Sequence, residues 1–156
     1  MQLISKLLAT IIIASSIATA TYAASDTITD ESKKLAYCEG VYLYTAQMLQ
    51  IQNNNGAALN LLSRASRVTT ANFFLNKQGN KITGKRVGEI KLAQRGVKER
   101  LDSDQSLALT EANECDKTTK PIISLAIKQG GTLWGKGFVE LNQAMLEQYK
   151  KNLGIQ

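Results

Sequence analysis

Histidine is absent from the 156-residue sequence, and this restricts the available chemistry more than any other feature of the chain. Histidine is the commonest general base near neutral pH, the base of most nucleophilic triads and a ligand of nearly all catalytic zinc sites. The glycines around Trp134 lack the Lys-Ser/Thr pair that completes a phosphate-binding loop. Catalysis would have to use carboxylates, lysines, tyrosines or hydroxyl groups, and we predict neither a metal site nor a cofactor.

Glycoside hydrolysis needs two carboxylates held across a cleft, and Glu39 is the acid whose neighbours could tune it for such a role. Its sequence neighbours Tyr37, Tyr42 and Tyr44 provide an aromatic setting that could raise its pKa. A helical wheel places Glu39 off the face that contains Cys38 and Tyr42, so we expect it to be exposed to solvent. Four other acids lie at predicted helix starts, where capping explains them. We therefore expect no enzymatic activity.

The two cysteines, Cys38 and Cys115, lie 77 positions apart. Free or redox-active thiols are the alternative, but there is no Cys-x-x-Cys motif and no histidine that could lower a thiol pKa. In an oxidising compartment two cysteines allow a single pairing. Closing so long a loop stabilises a fold by roughly 4–5 kcal/mol. We predict a structural disulfide, Cys38–Cys115.

The positive charge of the chain is concentrated in one segment. Eight basic residues lie between Lys77 and Arg100, where only Glu89 and Glu99 oppose them. Three project within about 60° of one another on a predicted helix, beside its apolar stripe. Three more lie in the adjoining loop or where it meets that helix. These six form the basic ridge: Lys91, Arg95 and Lys98 on the helix, with Lys77, Lys81 and Lys85.

Two interpretations of the basic ridge stay open. It is either a solvated surface that keeps the protein soluble or a docking surface for something acidic. An acidic protein surface of the cell envelope is the expected partner, and anionic lipid headgroups or a polyanion are the alternative. Nucleic acid is disfavoured, because no aromatic residues are interleaved with the charges as in single-strand binding.

The N-terminus has the three zones of a cleavable signal peptide. Lys6 supplies the positive charge, an apolar run extends over residues 7–17, and Thr21 and Ala23 occupy the −3 and −1 positions of a cut before Ala24. The apolar run is too short for the roughly 20 residues of a membrane-spanning helix. We expect residues 1–23 to be the signal peptide and residues 24–156 to be a single helical domain. The domain is expected to be exported, and the periplasm is favoured over full secretion.

Hydrophobic periodicity predicts helices throughout the exported part. The predicted helices run from about residue 30 to an Asn-Asn-Asn-Gly stop after residue 52, then over 57–76, 85–101 and from about 105 to 118. Pro121, with Thr118 or Thr119 as a cap, is expected to open a short helix that Gly130-Gly131 ends, and a last helix covers 138–152. The expected architecture is all-α, a small bundle of four to five helices closed by Cys38–Cys115.

One side of the first predicted helix carries Tyr37, Val41, Tyr44 and Met48. This set could form an aromatic groove for a peptide or glycan. A core helix with amphipathic residues at its rim is the commoner arrangement, and we expect that instead.

A locked scaffold without the usual catalytic groups favours binding over catalysis. We expect a non-catalytic envelope or periplasmic protein that acts by protein–protein interaction, as an inhibitor, an immunity factor or an accessory subunit. This is an analogy of type with other small exported helical proteins. The alternative is a protein that binds anionic envelope components through residues 77–100.

Overall fold

The computed structural model describes residues 30–75 and 84–155, which form four α-helices and one 3-10 turn without any strand. Helix α1 spans Asp30–Ile51, α2 spans Asn55–Leu75, α3 spans Gly84–Ser103 and α4 spans Ala108–Leu153. The 3-10 turn Gln105–Leu107 joins α3 to α4. The predicted all-α bundle is confirmed. Residues 1–29, with the predicted signal, and the ridge residues Lys77 and Lys81 lie outside the described residues.

Helix α1 occupies the centre of the bundle. It packs against α2, α3 and α4, while α2 also packs against α4. The close approach of α3 depends on Gly40, because a Cβ at that position would lie 3.3 Å from both the Cα of Gln94 and the Cβ of Val97. Buried residues therefore cover most of the circumference of α1, whereas Lys33, Lys34 and Gln47 are exposed.

The turn between α1 and α2 contains the asparagines from which it was predicted. Asn53 adopts φ = 58°, a left-handed conformation that asparagine tolerates better than most residues. The side-chain oxygen of Asn54 accepts a hydrogen bond from the backbone N–H of Ala57 at 3.2 Å, which caps the start of α2.

The disulfide Cys38–Cys115 is confirmed, and it joins α1 to α4 with a Cα–Cα distance of 5.4 Å. Both cysteines are buried. The hydroxyl of Thr45, two turns further along α1, donates to the carbonyl of Val41 in its own helix at 2.7 Å and lies 3.3 Å from the backbone carbonyl of Ala108 on α4. The hydroxyl of Tyr42 donates to Asp116 of α4 at 2.8 Å, so the same pair of helices is held together covalently and by hydrogen bonding.

The predicted breaks after Cys115 are wrong, because α4 continues through Pro121 and Gly130-Gly131 as one helix. The hydroxyls of Thr118 and Thr119 bond back to the carbonyls of Glu114 and Cys115, at 3.0 and 2.8 Å, and so do not cap a new helix. Proline removes one backbone hydrogen bond. Buried residues on both sides of that position, among them Ile122, keep α4 packed in the bundle.

Candidate functional site

A groove of about 760 Å³ is lined by residues of α1, α3 and α4. Its α1 side includes Tyr37 and Cys38, and the disulfide to Cys115 forms part of its surface. Leu92 and Ala93 line it from α3. Most of this surface is therefore apolar. We call it the disulfide groove.

Leu92 is the most accessible apolar residue of the disulfide groove, with 68% of its surface exposed. The period of the apolar residues predicts that α3 packs through one stripe, and Leu92 lies outside it. The stripe consists of Val87, Ile90, Ala93, Val97 and Leu101. Val97 and Leu101 are fully buried, as predicted. Apolar surface rimmed by polar residues is a frequent feature of interaction sites and binding grooves, and Leu92 adds its side chain to such a surface here. Sequence reasoning missed Leu92, although its place off the stripe was a usable signal.

The charges around the disulfide groove are separated by sign. Lys33 and Lys34 lie on α1, whereas Glu111 and Glu114 lie on α4. Arg100 of α3 reaches Glu111 with an Nη2–Oε1 distance of 2.6 Å and so links the α3 and α4 sides of the groove. Lys34 forms no ion pair with the carboxylates of the described residues. The groove thus has a basic side and an acidic side.

Tyr37 joins α1 to the acidic side of the groove, because its hydroxyl donates a hydrogen bond to Glu111. Burial, together with this hydrogen bond to a carboxylate, raises the pKa of Tyr37 to about 12. The phenol therefore stays protonated and keeps donating at any pH the protein meets in a cell. Val41 and Tyr44 share one side of α1 with Tyr37 in the sequence pattern, but Val41 is fully buried and Tyr44 is half-buried. Of these three residues, only Tyr37 lines the disulfide groove.

The tyrosines of α1 share a second pattern that was not visible in the sequence. Each donates to a carboxylate on another part of the chain, and a basic side chain holds that carboxylate from its other side. The three sets are Tyr37–Glu111–Arg100, Tyr42–Asp116–Arg64 and Tyr44–Asp102–Lys98. These acids and bases thus take part in holding the helices together.

Glu39 is buried, with 6% of its surface exposed, so the expectation that it faces solvent is wrong. A helical wheel with a single buried face does not describe α1, because this helix packs against three others. The hydroxyl of Tyr149 donates to Glu39 Oε1 at 2.6 Å, and Thr69 and Gln94 also hydrogen-bond to this carboxyl. Burial raises the pKa of Glu39 in spite of these hydrogen bonds, which lower it. No basic side chain of the described residues pairs with it.

The helical part of the basic ridge is exposed, as its spacing suggests. Arg95 pairs with Glu99 at 2.9 Å, and Lys98 pairs with Asp102, each four residues further along α3. The hydrogen bond to Asp102 raises the pKa of Lys98. Lys91 has no such partner among the described residues, and the side chain of Lys85 lies outside what is described. The ridge therefore carries less free charge than its composition indicates.

No helix in the described ranges is long and apolar enough to cross a membrane. In the same ranges, no three His, Cys, Asp or Glu side chains are grouped so that they could hold a metal ion. No protein-family model matches the chain, and neither the curated proteins nor the solved structures include a significant match.

Proposed function

We propose that this chain is an exported, non-catalytic protein of the cell envelope that acts by binding another protein, as an inhibitor, an immunity factor or an accessory subunit. The observation that carries the proposal is the disulfide groove, in which apolar surface around Leu92 and Cys38–Cys115 is bordered by charged side chains. An apolar centre with a polar rim is the common anatomy of protein interfaces.

The rigidity of the groove supports binding. Its surface includes a disulfide that joins α1 to α4. The Arg100–Glu111 ion pair and the Tyr37–Glu111 hydrogen bond hold α3 and α1 to α4. A preformed site loses little conformational entropy when a partner binds, and more of the contact energy then appears as affinity.

The charges of the groove suggest what the partner presents. Lys34 is free of ion pairs in the described part of the chain, so it is the basic group best able to meet an acidic side chain. We expect a partner segment that places an apolar side chain against Leu92 and Ala93 and a carboxylate near Lys33 and Lys34. The partner is then an acidic protein surface, and its charges would also increase the association rate.

The export part of the proposal rests on the signal-like N-terminal residues and on the disulfide, which is compatible with an oxidising compartment. The second candidate function is binding of anionic envelope components through the basic ridge. The exposure of Lys91, Arg95 and Lys98 favours it. The ion pairs of Arg95 and Lys98 with acids of α3 make it the weaker of the two.

The test compares Leu92→Glu with Val139→Glu, a matched control on α4 whose residue is 67% exposed. The partner is first captured from envelope extract with the wild type, identified by mass spectrometry and purified. Its affinity for each form is then measured by titration calorimetry. Leu92→Glu should weaken binding by about tenfold or more, as for a central interface residue, and the control should bind like the wild type.

Equal affinity of Leu92→Glu and the wild type would contradict the groove as the binding site. Equal weakening by both substitutions would point to a general effect of added negative charge. The basic-ridge alternative predicts a third pattern: affinity that falls steeply with salt and is insensitive to Leu92→Glu.

A further inference from the structure

A second cleft, of about 330 Å³, lies between α2 and α4, and its lining contains three basic side chains. Arg64 and Arg67 project from adjacent turns of α2, and Lys120 reaches the same cleft from α4. These residues are distant from the basic ridge in the sequence. They form a cluster only because α2 packs against α4.

One carboxylate, Asp116, lines the α2–α4 cleft, and it is already held by two groups. Arg64 forms an ion pair with it, and the hydroxyl of the fully buried Tyr42 donates to it at 2.8 Å. Arg67 and Lys120 form no ion pair with the carboxylates of the described residues. Three cations against one anion leave two positive charges in the cleft.

The remaining surface of the cleft is apolar along one side. Val68 and Ile123 are buried there, and Ile127 is partly exposed at the edge. The hydroxyl of Ser124 also lines the cleft. A ligand that fits this arrangement has a doubly negative head group and an apolar tail.

The geometry points to a binding site for a phosphate monoester carried on an apolar group. A phosphate monoester carries a charge of about −1.5 to −2 at neutral pH, which matches the excess charge of the cleft. Arginine presents a planar set of donors that suits phosphate oxygens, and Arg67 is free to use it. The apolar group lies along Val68, Ile123 and Ile127. This site is independent of the disulfide groove.

Such a phosphate has two sources, a soluble alkyl phosphate or a phosphomonoester lipid in a bilayer. The first arm of the test titrates the protein with decyl phosphate by calorimetry. Decyl sulfate serves as the singly charged analogue with the same tail. The second arm measures sedimentation with phosphatidylcholine vesicles, with and without phosphatidic acid. Binding in the first arm alone assigns a soluble ligand, and binding in both arms assigns a lipid headgroup as well.

The variant pair is Arg67→Gln with Lys120→Gln, and the matched control is Lys117→Gln with Lys151→Gln, which removes the same charge from exposed residues outside the cleft, the disulfide groove and the basic ridge. Both altered cleft residues are exposed, so the fold should persist, as circular dichroism can verify. The cleft double variant should bind decyl phosphate about a hundredfold more weakly, since each charge-assisted hydrogen bond contributes roughly tenfold in affinity. The control should bind like the wild type, and decyl sulfate should bind more weakly than decyl phosphate.

Three results would overturn the proposal. The first is a wild type that binds neither decyl phosphate nor phosphatidic acid vesicles. The second is equal weakening in the cleft variant and the control, which would mean that net charge alone attracts the ligand. The third is equal affinity for decyl phosphate and decyl sulfate, which would mean that the cleft does not select a doubly charged head group.

Discussion

Replacement of both Cys38 and Cys115 by alanine should remove a large part of the stability of the bundle. The two residues are separated by 77 positions, and the loop that their disulfide closes restricts the unfolded chain strongly. The chain-entropy relation gives about 4.5 kcal/mol for a loop of this length at 25 °C. Net stabilities of small domains are about 5–15 kcal/mol, so this single bond is a major contribution.

The helices should nevertheless still pack when the bond is absent. Tyr37 and Tyr42 of α1 donate to Glu111 and Asp116 of α4, on both sides of the disulfide in each helix. These hydrogen bonds do not depend on the sulfur atoms. We therefore expect the double variant to keep its helical circular dichroism at low temperature and to unfold at a much lower urea concentration.

Urea unfolding followed by circular dichroism measures the effect. The double variant should lose about 4–5 kcal/mol of unfolding free energy, and reduction of the wild type with dithiothreitol should produce a similar loss. The reductant should not affect the double variant, which makes it the control. A loss below about 1 kcal/mol would contradict the reasoning, because it would mean that the unfolded chain is hardly restricted by the bond.

Three further predictions concern individual side chains. Glu39→Gln and the wild type should have the same free energy of unfolding in urea below pH 4.5, the ordinary pKa of this carboxyl. The variant should become the more stable of the two as the pH rises, because folding raises the pKa of Glu39 and its ionisation therefore destabilises the native state. A difference in unfolding free energy that is constant across pH would contradict this prediction. Gly40→Leu should lower the free energy of unfolding in urea by at least about 1–3 kcal/mol, because the new side chain forces α1 away from α3. Gly96→Leu, which has open space around it, should leave the unfolding free energy unchanged or raise it. Equal effects of the two substitutions would refute the close approach at Gly40. Reversal of the three helical residues of the basic ridge to glutamate should lower the thermal midpoint only slightly in scanning fluorimetry, since all three are exposed and exposed ion pairs such as Arg95–Glu99 and Lys98–Asp102 contribute little to stability. A large decrease would mean that these side chains hold the helices together.

Much of the fold could be predicted because its signals are local. The period of the apolar residues indicates α1, α2 and α3, and the turn that contains Asn53 and Asn54 separates the first two. Two cysteines allow a single disulfide. The prediction failed where two local signals competed with packing, at Pro121 and at Gly130-Gly131. Neither stops α4. Buried residues on both sides of Pro121 hold that part of the helix in the bundle.

The candidate site was less predictable, because it depends on which helices meet. Glu39 is buried by residues from α2, α3 and α4, and no wheel drawn for α1 contains them. The disulfide groove and the α2–α4 cleft likewise combine residues from separate helices. The partial neutralisation of the basic ridge could have been seen, because Glu99 and Asp102 lie four residues after Arg95 and Lys98 in the sequence.

Contact between the disulfide groove and a partner protein is the central claim, and site-specific photo-crosslinking in living cells tests it most directly. A photoreactive amino acid replaces either Leu92, in the groove, or Lys98, on the basic ridge of the same helix. On a helix these positions point about 120° apart. We predict a discrete adduct with one envelope protein from position 92 and not from position 98. An adduct from position 98 alone, or none from position 92, would contradict the assignment of the groove.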